Sequence, residues 1–306
     1  MTTKSPEVTV VIVNYNTGDL LRQCLLTTLA AREALEVLVV DNCSTDSSLR
    51  LPDELESRIS LLINERNEGF ARAVNLAVSN AKGRYILLLN PDAQGVSDFI
   101  TPLVLLLDEQ GGAGVVGGKV LNADGSFEPA CMRAIPTPLS ALIRLSGLSR
   151  FLPSLRTRYP YNLTYDDTDD PRSVEAVSGS FCMFSKETGQ AVPFDERFFL
   201  YGEDLDFCLR VSKTGAPVRF LPTATVMHRK GVSMRQRPIA STYHFYNSML
   251  LFHKKHYAAG CSTFFNLVVF IGVWALALPK IIVQLTKGLV RPATASHGAW
   301  RRRGLR

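Results

Sequence analysis

At 306 residues, with 46% apolar and 20% charged side chains, the chain has the composition of a globular protein and can bury the core of one large α/β domain or two smaller ones. Its net charge of +6 is uneven: the closing RRRGLR holds four arginines, with Lys287 and Arg291 just before it. A basic tail beside apolar segments points to an anionic membrane surface rather than nucleic acid, for which no stripe of Lys, Arg and aromatic residues is seen elsewhere. The six cysteines are widely spaced without a CxxC pair, which speaks against a disulfide framework or structural zinc site and for a reducing compartment. The N-terminus lacks the charged-then-apolar layout of a secretory signal, so a cytoplasmic protein is expected.

In chain order, VTVVIVN (Val8–Asn14) is a β-branched run suited to a strand buried on both faces. A helix over Asp19–Arg32 follows, then a strand over Glu36–Asn42, a polar helix start at STDSSL, and a strand over Ile59–Asn64. A helix over Phe70–Ala81, a strand over Tyr85–Asn90, a helix over Val96–Glu109 and the run VVGGKVL complete the alternation. Such alternation predicts βαβ units and a mostly parallel, Rossmann-like α/β sheet, with ligands at the carboxyl ends of the strands. Polar residues gather at those ends: Asn14-Tyr15-Asn16, Asp41-Asn42, Asn64 to Asn67, and Asn90-Pro91-Asp92.

From Pro136 to Pro171 prolines, arginines and the acidic run Asp166–Asp170 predict a long surface excursion. Val174–Ser185 reads as a strand with a Gly-Ser step inside it, and Pro217–His228 as two short strands ending in histidine. Ile239–His256 reads as an amphipathic helix. Phe264 to Pro279 then runs sixteen residues without a formal charge before Lys280. Interrupted by Asn266, Pro279 and Lys280, this barely reaches the ~20 residues of a membrane span. The expectation is an interfacial or re-entrant helical hairpin, with a transmembrane or a soluble packing helix as alternatives.

The segment FFLYGEDLDFCLR (Phe198–Arg210) sets Glu203, Asp204 and Asp206 after Gly202 and interleaves them with apolar side chains. Carboxylates against aromatics sit at low dielectric, where a general base can be tuned; a helix N-terminus favoured by the dipole accounts for the same pattern. Asp41 ends the second strand, and with Ser44 or Asp46 available to cap a helix it is left to accept hydrogen bonds from a ligand. NEGFARAVN turns at Gly69 and opens a helix whose N-terminus suits phosphate. Asn90 and Asp92, two apart at a strand end, offer hard oxygen ligands for Mg²⁺ or Mn²⁺, or form an Asx-Pro turn. His228 would join them as a metal ligand only with Asp92 nearby in space. The Gly111–Lys119 stretch fails the phosphate-loop pattern, no GxGxxG follows the first strand, and there is no GxSxG elbow.

Taken as an ordered set, VIVNYN, VDNCSTD, NEGFARAVN, LLLNPDA, the GSF step, FFLYGEDLDFCLR and HRKGVS resemble the family 2 glycosyltransferases, particularly a bacterial rhamnosyltransferase-like branch, over roughly residues 7–256. The resemblance implies a GT-A fold, taken as residues 1–256; the apolar and basic run after it, 257–306, reads from its composition as a membrane-associating helical segment. It implies inverting transfer from a nucleotide-sugar, with dTDP-L-rhamnose the first expectation; the apolar, basic C-terminus points to a hydroxyl of a lipid-linked or cell-surface glycan as acceptor, polyprenyl-linked and at the cytoplasmic face of the inner membrane. By similarity Tyr15, Asn16 and Asp41 hold the nucleoside, and Asn67, Gly69, Arg72 and Asn75 line the donor pocket. Asn90 and Asp92 match the family's DxD position, with Asn replacing the first Asp, so Asp92 and His228 are the expected metal ligands. Asp204 matches the catalytic base, with Glu203, Asp206 and Arg210 as its supports on the acceptor side. Two rival readings are a sugar-phosphate nucleotidyltransferase, which would carry a Gly-rich signature where Asn14-Tyr15-Asn16 stands, and a non-catalytic sugar-nucleotide-binding membrane-associated protein.

Overall fold

The computed structural model describes residues 6–31, 35–145, 154, 161–163, 169–228 and 238–290. In chain order the first half holds β1 (Val8–Asn14), α1 (Leu20–Ala31), β2 (Leu35–Asp41), α2 (Asp53–Glu56), β3 (Ser60–Ile63), α3 (Phe70–Asn80) and β4 (Tyr85–Leu89). It continues with β5 (Ala93–Val96), α4 (Thr101–Glu109), β6 (Val115–Asn122), β7 (Met132–Arg133) and α5 (Pro138–Leu145). The second half holds β8 (Arg172–Ser173), β9 (Ala176–Val177), β10 (Phe181–Ser185), α6 (Lys186–Ala191), α7 (Glu203–Lys213), β11 (Val218–His228), α8 (Pro238–His256) and α9 (Thr263–Val290).

The main sheet runs β3-β2-β1-β4-β10-β6-β11-β5, with β8 attached to β11, and β7 pairs with β9 in a separate ribbon. β1 to β4 are mutually parallel, β10 is antiparallel to β4 and β6, and β6 is parallel to β11. The carboxyl ends of β1, β2, β3, β4, β6 and β11 therefore share one edge. β2 and β4 lie on opposite sides of β1, which makes that edge a crevice where the chain reverses its direction of winding.

The apolar runs are continuous because both sheet faces are covered. Val8, Val10 and Ile12 enter a core with Leu21, Leu25, Phe99 and Leu103, whereas Val11 joins Leu38, Val40, Val74, Ala77, Phe184 and Phe207 on the other side. Successive strand residues point to opposite faces, so each face needs its own apolar set.

Four expectations are corrected. The helix expected over Val96–Glu109 begins only at Thr101, and Val96 instead ends the edge strand β5 (Ala93–Val96), antiparallel to Thr225–His228. Gly95 lies so close to Phe99 that a Cβ there would fall 2.1 Å from the ring, and the free edge of β11 supplies the hydrogen bonds that an early helical turn would have made. STDSSL starts no helix, because its side chains bond locally: Ser44 Oγ donates to Asp41, and Ser48 N and Oγ to Asp46. Val174–Ser185 breaks at the Ser178–Ser180 turn into β9 and β10. Pro217–His228 contains one strand rather than two, its register shifting between Leu221 and Thr225 where Pro222 has no N–H to contribute.

The C-terminal hairpin is corrected as well: Thr263–Val290 is one continuous helix with Pro279 inside it. A proline deletes a single i→i−4 hydrogen bond and leaves the helix intact where apolar, helix-favouring neighbours continue it. The polar interruptions face α8. Asn266 Oδ1 accepts from His253 Nε2 at 2.7 Å, Gln284 Nε2 donates to Thr242 Oγ1 at 2.9 Å, and Lys280 lies over the Tyr246 ring. Arg229–Ser233, Asp166–Thr168, Arg291 and the arginine tail lie outside the described residues.

One ionic cluster ties α8 to α7. Asp206, fully buried, accepts from Arg210 Nε at 2.7 Å, His256 Nε2 at 2.8 Å and Lys255 Nζ at 2.6 Å, and Lys255 also reaches Asp195. Removing the carboxylate takes the shared partner from three basic groups, leaving Lys255 with Asp195 and Arg210 with Pro193 O. Asp206→Ala is expected to lower the unfolding free energy by about 3–5 kcal/mol, measured by urea titration; an unchanged midpoint would show that the cluster contributes nothing net.

Candidate active site

The loop after β1 and the loop after β2 are held together by a polar knot. Asn14 Nδ2 donates to Asp41 Oδ1 at 2.7 Å and lies within hydrogen-bond distance of the Ser44 and Ser48 hydroxyls. Asp41 Oδ1 also takes the Ser44 hydroxyl at 2.6 Å, and Oδ2 takes the Ser44 N–H at 2.8 Å. At 1% exposure, Asp41 shapes the loop, and Ser44 serves Asp41 instead of capping a helix. Asn16 and Cys43 are held at positive φ, 51° and 64°, in the two facing loops. Asn16 receives the Thr45 N–H on its side-chain oxygen at 2.7 Å and donates its own N–H to Ser44. Tyr15, half-buried, sits between these anchored residues on the same edge.

Asn42 extends the knot, donating to Gly69 O and accepting from Asn64. Asn67 Oδ1 takes the Gly69 N–H at 3.0 Å, forming the turn into α3. Gly69 has φ 86°, and an added Cβ would meet Phe199 O at 2.6 Å, so only glycine fits. The same Phe199 carbonyl accepts the Phe70 N–H at 2.9 Å, which occupies the first donor of the helix N-terminus expected to suit phosphate.

At the end of β4 the chain brings together residues 136 positions apart. His228, last in β11, pairs with Ala93 of β5, and this register sets His228 Nε2 2.5 Å from Asp92 Oδ1 and 3.5 Å from Asn90 Nδ2. The spatial condition on His228 is met. Among the described residues no group of three or more His, Cys, Asp and Glu side chains gathers. The donor set is one carboxylate, one imidazole and one amide.

Asp204 reaches the same edge by a different route. Gly202, at φ 80°, turns the chain into α7, so Glu203, Asp204 and Asp206 all lie in its first turn, as the dipole reading expects. Asp204 Oδ2 accepts from Gly179 N at 3.0 Å, while the adjacent Ser180 carbonyl accepts from Asn90 N. The GSF step therefore links the acidic segment to the strand end that carries Asn90 and Asp92. Arg133 Nη2 completes the contact, 2.6 Å from Asp204 Oδ2 and 2.8 Å from Val177 O. Burial opposes the charge of Arg133, yet the Asp204 carboxylate raises its proton affinity above the ordinary arginine value. Sequence reasoning passed over Arg133; the signal was a lone charge in the apolar run Ala130–Pro136, which has to find a partner once buried.

The other expected site residues disperse. Asn75 exchanges two hydrogen bonds with the backbone of Phe194, and Arg72 pairs with Glu68 and Glu196 at the surface. Asp206 and Arg210 belong to the α7–α8 ionic cluster, Arg210 also reaching Pro193 O; this is the bond one helix turn apart that ordinary helix geometry supplies. Glu203 stays beside Asp204, buried, with Oε2 lacking a hydrogen-bond partner among the described residues. Burial first, and the neighbouring Asp204 second, push its carboxyl up to about 8.

Residues 9–187, more than half of the chain, match the model of "Glycosyl transferase family 2". The N-acetylglucosaminyl-diphospho-decaprenol L-rhamnosyltransferase of Mycobacterium tuberculosis is 29% identical over 259 residues, covering 79% of this chain and 82% of the relative. The dTDP-rhamnosyl transferase RfbF of Shigella flexneri is 28% identical over 262 residues, covering 80% of each. A mannosyltransferase from Pyrobaculum calidifontis, solved with GDP-Man and Mn²⁺, superposes with a TM-score of 0.55 at 16% identity, over 95% of this chain and 77% of that one. The fold is GT-A, as the order of motifs implied.

Glu203 gives this site a pH signature. With a folded-state pKa above the ordinary 4.5, it holds its proton in the fold, so stability is full below pH 4.5 and declines as pH rises through about 8. The wild-type chain is expected to lose at least about 1 kcal/mol between pH 5 and 9, each tenfold change in proton affinity being about 1.4 kcal/mol. Glu203→Gln should flatten that slope in urea titrations at several pH values; an unchanged slope would place the titration elsewhere.

Proposed function

Because the chain belongs to glycosyl transferase family 2, we propose that it transfers L-rhamnose from dTDP-L-rhamnose, with inversion, to a hydroxyl of a polyprenyl-diphosphate-linked glycan. The observation that carries this reading is the junction of Asp204 with the Asn90, Asp92 and His228 end of the sheet through Gly179 and Ser180. It brings a carboxylate base and a set of donors suited to a diphosphate to one edge. The names of the two rhamnosyltransferase relatives support the sugar, and that of the decaprenol enzyme supports the lipid-linked acceptor.

A sugar hydroxyl is a poor nucleophile at neutral pH, and Asp204 takes its proton as the oxygen attacks the anomeric carbon. The bond from that carbon to the diphosphate breaks in the same step, its electron pair leaving on the phosphate oxygen, and displacement from the opposite side inverts the centre. Arg133 and Gly179 hold Oδ2. Oδ1, which accepts only the N–H of Leu205 among the described contacts, keeps a lone pair for the proton. The loops built on Asn14, Asn16 and Asp41 shape the nucleoside seat, with Tyr15 as a face for the base. One carboxylate, one imidazole and one amide would suit Mg²⁺ or Mn²⁺. Bound by Asp92 and His228, with Asn90 beside them, such a cation would neutralise the charge gathering on the departing diphosphate.

Residues 1–256 carry the transferase in this reading, and 257–306 associate with the cytoplasmic face of the inner membrane. Support comes from α9, whose Phe264, Leu267, Phe270, Ile271, Leu278 and Ile282 are each at least half exposed while Asn266, Lys280 and Gln284 turn to α8. A truncation before Ser262 is expected to abolish sedimentation with anionic vesicles; unchanged partitioning would remove this part of the proposal.

Asp204→Ala should lower transfer by about 10²- to 10⁴-fold while the donor still raises the melting temperature. Undiminished transfer would sink the base assignment. Asp92→Ala and His228→Ala are each expected to raise the Mn²⁺ concentration for half-maximal donor-induced stabilisation by about 10-fold or more, and an unshifted titration would move the metal elsewhere.

A further inference from the structure

Beside Asp204 lies a cavity of about 280 Å³ that the transfer chemistry leaves unused. Glu203, Asp204 and Arg133 line it together with Met249 and Phe252 of α8 and with Val269, Gly272 and Leu276 of α9. Away from the two acidic groups and the arginine its walls are overwhelmingly apolar. We propose that this cavity seats the first isoprene units of the acceptor, gripping the lipid between α8 and α9 while the sugar end lies at Asp204. The inference rests on the lipid-linked acceptor reading and adds the place where the lipid is held.

Four observations point to this occupant. The cavity joins the base, where the acceptor hydroxyl has to sit, to the helix whose far face is exposed and apolar, so a chain leaving the cavity over α9 stays in an apolar medium throughout. Its size falls just under the lower end of small-molecule sites, about 300–1,000 Å³, which accommodates a few isoprene units and not a whole lipid-linked sugar. Three of its lining residues, Arg133, Glu203 and His253, each carry a buried nitrogen or oxygen without a hydrogen-bond partner among the described residues. Orphaned polar atoms of that kind are costly in a finished core, and here all three belong to the lining of one cavity.

The fourth observation is Gly272. A glycine inside a helix costs about 1 kcal/mol relative to alanine, and glycine is normally kept where a neighbour approaches too closely for a side chain. At Gly272 an added Cβ would meet nothing within 4 Å. What the missing side chain leaves is open space in the cavity wall.

The test uses the full chain in detergent micelles, with dTDP-L-rhamnose as donor and two acceptors: N-acetylglucosaminyl-diphospho-decaprenol and the same head on a hexyl chain. Gly272→Phe fills the cavity and Ile271→Phe changes the neighbouring exposed position. Wild type should prefer the decaprenyl acceptor in KM by about 10-fold or more, since burying even one isoprene unit removes several CH₂-sized groups from water. G272F should lose that preference and I271F should keep it. Preference kept by both variants, or lost by both, overturns the cavity assignment while leaving the acceptor reading intact. Photolabelling of the wild-type chain by a diazirine-bearing farnesyl diphosphate gives a second measure that needs no variant to fold. Label in peptides containing Met249 and Gly272, competed by farnesyl diphosphate, supports the cavity, and label confined elsewhere rejects it. If wild type uses neither acceptor, the acceptor reading fails, and the photolabel alone decides whether the cavity binds prenyl diphosphates.

Discussion

The carboxylate of Asp204 is the point on which the candidate site turns. A single oxygen, Oδ2, takes the Gly179 N–H from the turn before β10 and a guanidinium N–H from Arg133 on the β7–β9 ribbon. Through these two bonds the first turn of α7, the ribbon and the edge of the main sheet become one unit. Without them Asp204 would ride on a helix end set by apolar packing alone, since Gly202 turns the chain into α7 with no side-chain cap of its own. Charge-assisted bonds are about twice as strong as neutral ones and are directional, so the knot fixes an orientation that hydrophobic burial cannot.

The three carboxylates of that first turn end in three different environments. Asp206 points into a cluster of Arg210, Lys255 and His256 and serves the docking of α8. Glu203 is buried with little to stabilise its charge and holds its proton up to about pH 8. Asp204, between them in sequence, is the one turned to the sheet edge. A helix places neighbouring residues about 100° apart, so adjacent acids on its first turn cannot share a partner, and the tertiary surroundings assign each its task.

A similar division of labour holds at the C-terminus. α9 is long and apolar enough to read as a membrane segment, and its polar residues are the ones that bond α8. Asn266, Gln284 and Lys280, which interrupt the apolar run when read along the sequence, form one seam when wound onto a helix. The opposite face is left uninterrupted. The same seam opens, near Gly272, into the cavity beside Asp204.

The chain's own residues determined a good deal. Strand-and-helix alternation follows from the period of the apolar pattern, and polar strand ends follow from where that pattern stops, so the parallel sheet and its ligand edge were legible at once. The helix start at Gly202 was legible too, because glycine before acidic residues is a local signal. Tertiary structure alone decided partnership. That Asp92 meets His228, that Arg133 answers Asp204, and that Asp41, Asn75 and Asp206 spend their polar atoms on the scaffold all depend on contacts between residues 27 to 136 positions apart. Such contacts are set by sheet register and helix docking rather than by any neighbouring residue, and a buried polar atom takes whichever partner that docking brings within reach.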